Sequence, residues 1–205
     1  ITANGGTYKV KDTATNLAAA AASLLSDQTI VVNDANTAAT TTEINSIQTK
    51  MVSNGGSGTV TYTKLTDSAS NLDTNRADIV AGVAVTIDDT NNTAATVAEL
   101  NRLQTAVSDA GNGATLTYAK LRDTSANIRA NTANGAITDV EGKAVTVTTA
   151  SNVSQFGDIL TAATANGAAG TVAGAVSDTV GNLTNVTLTG ATSVTAVIAD
   201  GTKDL

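Results

Sequence analysis

The sequence contains no cysteine, no histidine and no proline. Lack of cysteine excludes disulfides and thiolate metal sites. Lack of histidine removes the commonest general base, the commonest metal ligand, and the usual Ser-His-Asp and Cys-His nucleophile systems. Lack of proline excludes Pro-rich linkers. Aromatic residues make up 2% of the 205 positions. A core must therefore be built from Ala, Val, Leu and Ile, and such small side chains fill space only where backbones approach closely. That favours thin, regular, repetitive packing. No apolar run approaches the ~20 residues needed to span a bilayer, so no membrane insertion is expected. The net charge of −7 opposes general nucleic-acid binding, which depends on phosphate neutralisation by Lys and Arg. The chain begins at Ile1 with no Met and no signal-peptide pattern, and is expected to be a fragment or processed segment of something longer.

What the sequence does contain is a recurring kernel. "KVKDTATNL" (9–17), "KLTDSASNL" (64–72), "KLRDTSANI" (120–128) and "AVSDTVGNL" (175–183) share Asp, then Ser or Thr, two variable residues, Asn, and Leu or Ile. The aspartates are Asp12, Asp67, Asp123 and Asp178, and the asparagines Asn16, Asn71, Asn127 and Asn182, at steps of 55 or 56 residues. Self-similarity at such a period signals a solenoid or an array.

Each unit has two halves of similar length. In the second unit, "TVTYTKLTD" (59–67) alternates and is rich in β-branched residues, as a strand is. "SASNLDTNRADIVA" (68–81) follows with helical spacing of Leu72 and Ile79. "VAVTIDD" (83–89) is again strand-like. "TAATVAELNRLQTAVSDAG" (93–111) is the clearest helix, with Val97, Leu100, Leu103 and Val107 on one stripe. Thr96 and Glu99, like Thr40 and Glu43, have capping-box spacing, and Gly111 suits the helix end. Strands 6–11, 28–33, 59–66, 83–88, 114–122, 143–149 and 171–177 are expected to form one parallel sheet with right-handed crossovers. Because they alternate, one face should be solvated and the helices should lie on the other. The expected fold is an α/β strand–helix solenoid over residues 1–183, with units of about 6–58, 59–113, 114–170 and a partial 171–183. Residues 184–205 read as a β-rich cap or the start of another module. The third unit departs from the pattern, with Thr148 and Thr149 where Asp88 and Asp89 stand one unit earlier, and a shorter helix around Phe156, Ile159 and Leu160.

The kernel and the Ala-rich run after it, "VKDTATNLAAAAASLL" (10–25), resemble the V-x-D-T-A-x-N-L tandem repeats of giant secreted bacterial surface proteins and RTX-like type I secretion substrates. The resemblance covers three units well and the fourth weakly. It implies a non-enzymatic structural segment, extracellular or at the cell surface, serving a surface layer, adhesion or motility. Its partners would be neighbouring repeats of the same long chain, with self-assembly or cell-surface glycans as further candidates.

The kernel residues themselves are expected to be structural. Asp67 or Ser68 should cap the helix that follows, and Asn71 should tie main-chain groups from coil to coil. Three chemical alternatives stand beside this. Asp34, Asp88 and Asp89 should fall at carboxyl ends of adjacent strands and could hold calcium, an oxygen-loving cation; no other cofactor is expected. The Gly-rich "GGSGTV" (55–60) lacks the Asp of an RTX calcium loop, having Val60 in its place, and lacks the Lys-Ser/Thr of a phosphate loop. Lys9, Lys64, Lys120 and Arg122, with Lys11, Tyr62 and Tyr118, should share an exposed sheet face able to bind anionic glycans. The competing account is that those lysines solubilise the sheet and guard its edges. No carboxylate pair is placed as in a cleft, and the threonines form no uniform T-x-T ice-binding array.

Overall fold

The computed structural model describes residues 8–26, 28–53, 57–90, 94–184 and 187–199. The fold is mixed α/β, with parallel sheets and helices and no closed barrel among the described residues. The chain divides into two compact units, 1–88 with 101–118 and 89–100 with 119–205.

The first unit holds two sheets. Strands β1 (Lys9–Asp12), β2 (Thr29–Val32) and β3 (Thr59–Thr61) pair in that order, all parallel. Strands β4 (Lys64–Asp67), β5 (Ala84–Ile87) and β6 (Thr115–Thr117) form the second, again parallel. Between them run helices α1 (Ala14–Ala19), α2 (Ala22–Leu25), α3 (Thr41–Val52) and α4 (Ala69–Thr74), and a 3-10 turn at Arg76–Asp78. Helix α5 (Val97–Ala110) has its first turn in the second unit and the rest in the first.

The second unit is built on β7 (Lys120–Asp123), β10 (Ala144–Ser151), β11 (Thr171–Asp178) and β12 (Ala191–Ile198), parallel and adjacent in that order. Helices α6 (Ser125–Ala130), α7 (Val153–Ala163) and α8 (Val180–Thr184) connect them. An antiparallel hairpin, β8 (Thr132–Ala133) with β9 (Ala136–Ile137), interrupts the pattern after α6.

The parallel pairing agrees with the alternation of strands and helices. The single continuous sheet does not: the ladder is divided into three parallel sheets. The segments expected as single strands at 59–66 and 114–122 are each cut in two, between Thr61 and Lys64 and between Thr117 and Lys120. Residues 6 and 7 of the first expected strand lie outside the described residues. At the other end, β12 joins the sheet as one more parallel strand.

The repeat period is visible in the core. Kernel residues Leu17, Leu72 and Ile128 are buried, as are Ile44, Leu100 and Phe156, and again Ile47, Leu103 and Ile159. Each triplet steps by the sequence period, so the same position of each repeat supplies a buried apolar side chain. Burying a side chain of this size stabilises by roughly 1.5–3 kcal/mol. Gly58 shows how closely the backbones approach: a Cβ there would lie 2.5 Å from the Gln28 carbonyl. That contact gives the glycine a packing role in "GGSGTV", whose Gly55 and Gly56 lie outside the described residues.

Candidate functional site

The kernel builds the same polar unit four times. Thr13, Ser68, Thr124 and Thr179 each accept, through the hydroxyl, the backbone N–H three residues on, at 3.3, 3.2, 3.1 and 3.4 Å. This is an N-cap, worth about 1 kcal/mol. The preceding Asp uses Oδ1 twice. It accepts the N–H of the next residue at 2.7–2.9 Å. It also accepts Asn Nδ2 four residues on, at 2.7–2.8 Å. The kernel asparagine therefore ties a carboxylate, and not the main-chain groups expected from the sequence. The carboxylate competes successfully because a charged acceptor makes the stronger bond.

Oδ2 reaches further. Asp67 Oδ2 accepts Thr41 N–H at 3.2 Å and Thr41 Oγ1–H at 2.6 Å. Asp123 Oδ2 accepts Val97 N–H at 3.0 Å, and Asp178 Oδ2 accepts Val153 N–H at 3.0 Å. Thr41, Val97 and Val153 open α3, α5 and α7, the helices lying one half-unit earlier in the chain. Their N–H groups are among the four donors that a helix leaves without internal partners. The side chains at those helix starts are engaged elsewhere. Thr40 with Glu43 and Thr96 with Glu99 form the expected capping boxes, and Asn152 with Gln155 forms a third that sequence reading missed. The kernel Asp is thus a staple, closing its own helix with one oxygen and the start of the preceding helix with the other.

The pKa directions follow this filling. Burial pushes Asp67 up, but bonds from Thr41, Asn71 and Ser68 outweigh it and hold the carboxyl below its ordinary range. Bonds from Asn16 and Thr13 lower Asp12, and those from Asn182, Val153 and Thr179 lower Asp178.

Asp34 and Asp89 explain the cut strands. Asp34 is buried; Oδ2 accepts the N–H groups of Thr63 and Lys64, at 2.5 and 2.7 Å, and Oδ1 accepts Thr63 Oγ1–H at 2.9 Å. Asp89 Oδ2 accepts Ala119 and Lys120 N–H at 2.8 and 3.0 Å. In both cases two consecutive amides are turned onto one carboxylate oxygen, and the ladder stops there. One unit later Thr149 occupies the position, and the next strand, β11, runs unbroken for 8 residues. The calcium candidates thus divide. Asp34 presents both oxygens to protein donors; Asp89 Oδ1 is buried without a hydrogen-bond partner; Asp88 is half-buried, with its N–H donating to Asp67 carbonyl. Among the described residues no group of three or more carboxylates is placed to hold a metal.

The basic face is altered most at Tyr62. Expected in the open, Tyr62 is buried, with its hydroxyl donating to the Asp78 carbonyl at 2.5 Å. The strand ends at Thr61, so the alternation that placed Tyr62 beside the lysines does not continue through it. Tyr118 is half-buried. Lys64 and Lys120 are exposed, but their ammonium groups donate to turn carbonyls, those of Ala35 and Asp89, both at 2.9 Å. Lys9, Lys11 and Arg122 are exposed.

Two further features were missed. Asp73 accepts Arg102 through both oxygens and also pairs with Arg76; one unit later Arg129 pairs with Asp158 at 3.0 Å, the same two positions with the charges exchanged. Arg129 and Asp158 border an open groove of about 1100 Å³ between α6, the hairpin and α7. The hairpin turn was legible in "NG": Asn134 and Gly135 have φ of 52° and 81°, as a type I′ turn requires.

The chain matches no protein-family model, no curated protein and no solved structure. Among the described residues no helix is long and apolar enough to cross a membrane.

Proposed function

We propose that this chain is a non-enzymatic structural segment, an α/β solenoid of a large secreted or cell-surface bacterial protein, acting as a spacer or layer-forming scaffold in adhesion, surface coating or motility. One observation supports this reading above the others. The residues that recur most faithfully in the sequence, the kernel Asp and Asn, bond to each other within each kernel, and the second oxygen of Asp67, Asp123 and Asp178 binds the helix one half-unit earlier. A binding repeat would be expected to aim its recurring polar groups outward. The alternation of parallel strands with helices through successive half-units fits addition of further units along a line.

Duplicating residues 59–113 in place tests the proposal. Neighbouring parallel strands lie about 4.8 Å apart, so the two added half-units should lengthen the particle by ~10 Å in small-angle scattering. They should also raise the unfolding enthalpy in proportion to the added residues. An unchanged maximum dimension, or an insert that stays unfolded, would count against the solenoid.

The alternative is a module that binds acidic glycans through its exposed basic residues. Lys9 and Arg122 support it; the burial of Tyr62 removes one of its two tyrosines. Loss of binding to sulfated or uronic-acid glycans on Lys9→Ala and Arg122→Ala substitution would favour it.

A further inference from the structure

Among the described residues, the outer edge of β1 carries, unengaged, the groups that other strands use to hold the half-unit before them. At β4 that grip has three parts. Lys64 carbonyl accepts Ala39 N–H at 3.2 Å, Thr66 N–H donates to Ala39 carbonyl at 2.8 Å, and Asp67 Oδ2 accepts Thr41 N–H. At β7, Arg122 N–H donates to Ala95 carbonyl at 2.8 Å while Asp123 Oδ2 accepts Val97 N–H. The bridging alanine lies two residues before the first helical residue each time.

In β1 the matching groups are Lys9 carbonyl, Lys11 N–H and Asp12 Oδ2. The groups that face β2 are the alternate ones: Tyr8 and Asp12 carbonyls accept Thr29 and Asn33 N–H. Among the described residues no partner takes Lys9 carbonyl, Lys11 N–H or Asp12 Oδ2, although Asp12 Oδ1 is filled as in every kernel. Val10 is half-buried where Leu65, Leu121 and Val176 are fully buried, so the core is also open at this position.

We propose that the β1 edge is a docking surface for one further half-unit of this protein's own type. Its occupant is an extended small residue followed by a Thr-capped helix with Glu at the third position, as in Ala39–Glu43. A second folded copy does not fit, because α3, α5 and α7 already give their first N–H groups to Asp67, Asp123 and Asp178. The inference rests on the solenoid reading, but its test is separate from the internal duplication above.

The test fuses a copy of residues 28–58 directly ahead of residue 4. This reproduces the 26-residue spacing between Thr41 and Asp67, now between the copied threonine and Asp12. The fused segment should become helical by circular dichroism, and the melting temperature should rise by at least about 4 °C. Asp12→Asn should remove most of that rise in the fusion while changing the unfused chain far less, since an Asn carbonyl can still serve the two donors on Oδ1. A fused segment that stays unfolded overturns the proposal. So does a rise that Asp12→Asn does not reduce. If the internal duplication succeeds and this fusion fails, the solenoid stands and the β1 edge is not its docking face.

Discussion

Replacing Asp67 by Asn isolates the staple, because the change keeps shape and removes one acceptor. The carboxylate accepts four donors: Ser68 N–H, Asn71 Nδ2, Thr41 N–H and Thr41 Oγ1–H. An amide oxygen can serve one side only. Kept toward Ser68 and Asn71, it turns an NH₂ group onto Thr41 N–H, and Thr41 is fully buried. The Thr41 hydroxyl can rotate to accept from that NH₂; the Thr41 N–H cannot adapt. A hydrogen bond to a charged group contributes about 1.5–3 kcal/mol, and a buried orphan donor costs about 1–3 kcal/mol. These overlap, so we expect a loss of about 3 kcal/mol, which for a chain of this size is roughly 6–12 °C in Tm. Asp12→Asn supplies the control, having the same local kernel and no second-oxygen partner among the described residues. Thermal unfolding followed by far-UV circular dichroism should show a large shift for Asp67→Asn and a much smaller one for Asp12→Asn. Equal shifts would mean that Asp67 acts only through its own helix cap.

Asp78 should behave in the opposite sense. Burial raises its carboxyl, against a hydrogen bond from Gln48, and its Oδ2 is buried without a partner. Asp78→Asn should therefore stabilise the chain at pH 7 by about 1 kcal/mol, with the gain shrinking in acid, where the native carboxyl is protonated; destabilisation in urea titrations at pH 7 would contradict this. Asp34 and Asp67 are depressed, Asp34 because bonds from Thr63 and Lys64 outweigh its burial. Depressed carboxyls contribute stability above their unfolded value of 3.8 and lose it as pH falls through the folded one. Asp67→Asn should thus flatten the acid limb of a stability–pH profile, and an unaltered limb would assign acid sensitivity elsewhere. Arg129→Asp should destabilise by about 0.5–1 kcal/mol, and adding Asp158→Arg should restore the loss, because Asp73 and Arg102 already use the reversed polarity; a non-additive cycle is expected, and additivity would show the pair to be inert. Because the Asp34 oxygens serve protein donors, millimolar calcium against chelator should leave the melting curve unchanged, and a rise would support the cation reading.

Much of the architecture could be read in advance because the chain says the same thing repeatedly. The period marked Leu72 as a core residue, and Thr-x-x-Glu spacing identified two of the three capping boxes found among the described residues. The third was hidden by Asn152 and Gln155, a chemically equivalent pair with different letters. The strand breaks were not legible, since "TVTYTKLTD" alternates without interruption. What breaks it is Asp34, some thirty residues away, and no local pattern encodes a distant carboxylate intercepting two amides. Tyr62 was misplaced for the same reason. The partner of Asn71 was missed because the amide was credited with main-chain bonds, while the stronger acceptor stood four residues back, on the same face of the turn. The paired charges at 73 and 102, and at 129 and 158, were visible as letters. Their exchange of sign becomes meaningful only once helix neighbours are known.

Amide hydrogen exchange at the first residues of α3, α5 and α7 tests the staple most directly. A first-turn helix N–H is ordinarily without an intramolecular partner and exchanges rapidly. The staple predicts slow exchange at Thr41, Val97 and Val153 in the native chain, with protection lost at Thr41 alone in Asp67→Asn, at Val97 alone in Asp123→Asn and at Val153 alone in Asp178→Asn. Rapid exchange at all three positions in the unmodified chain, or protection that survives the matching substitution, would contradict it.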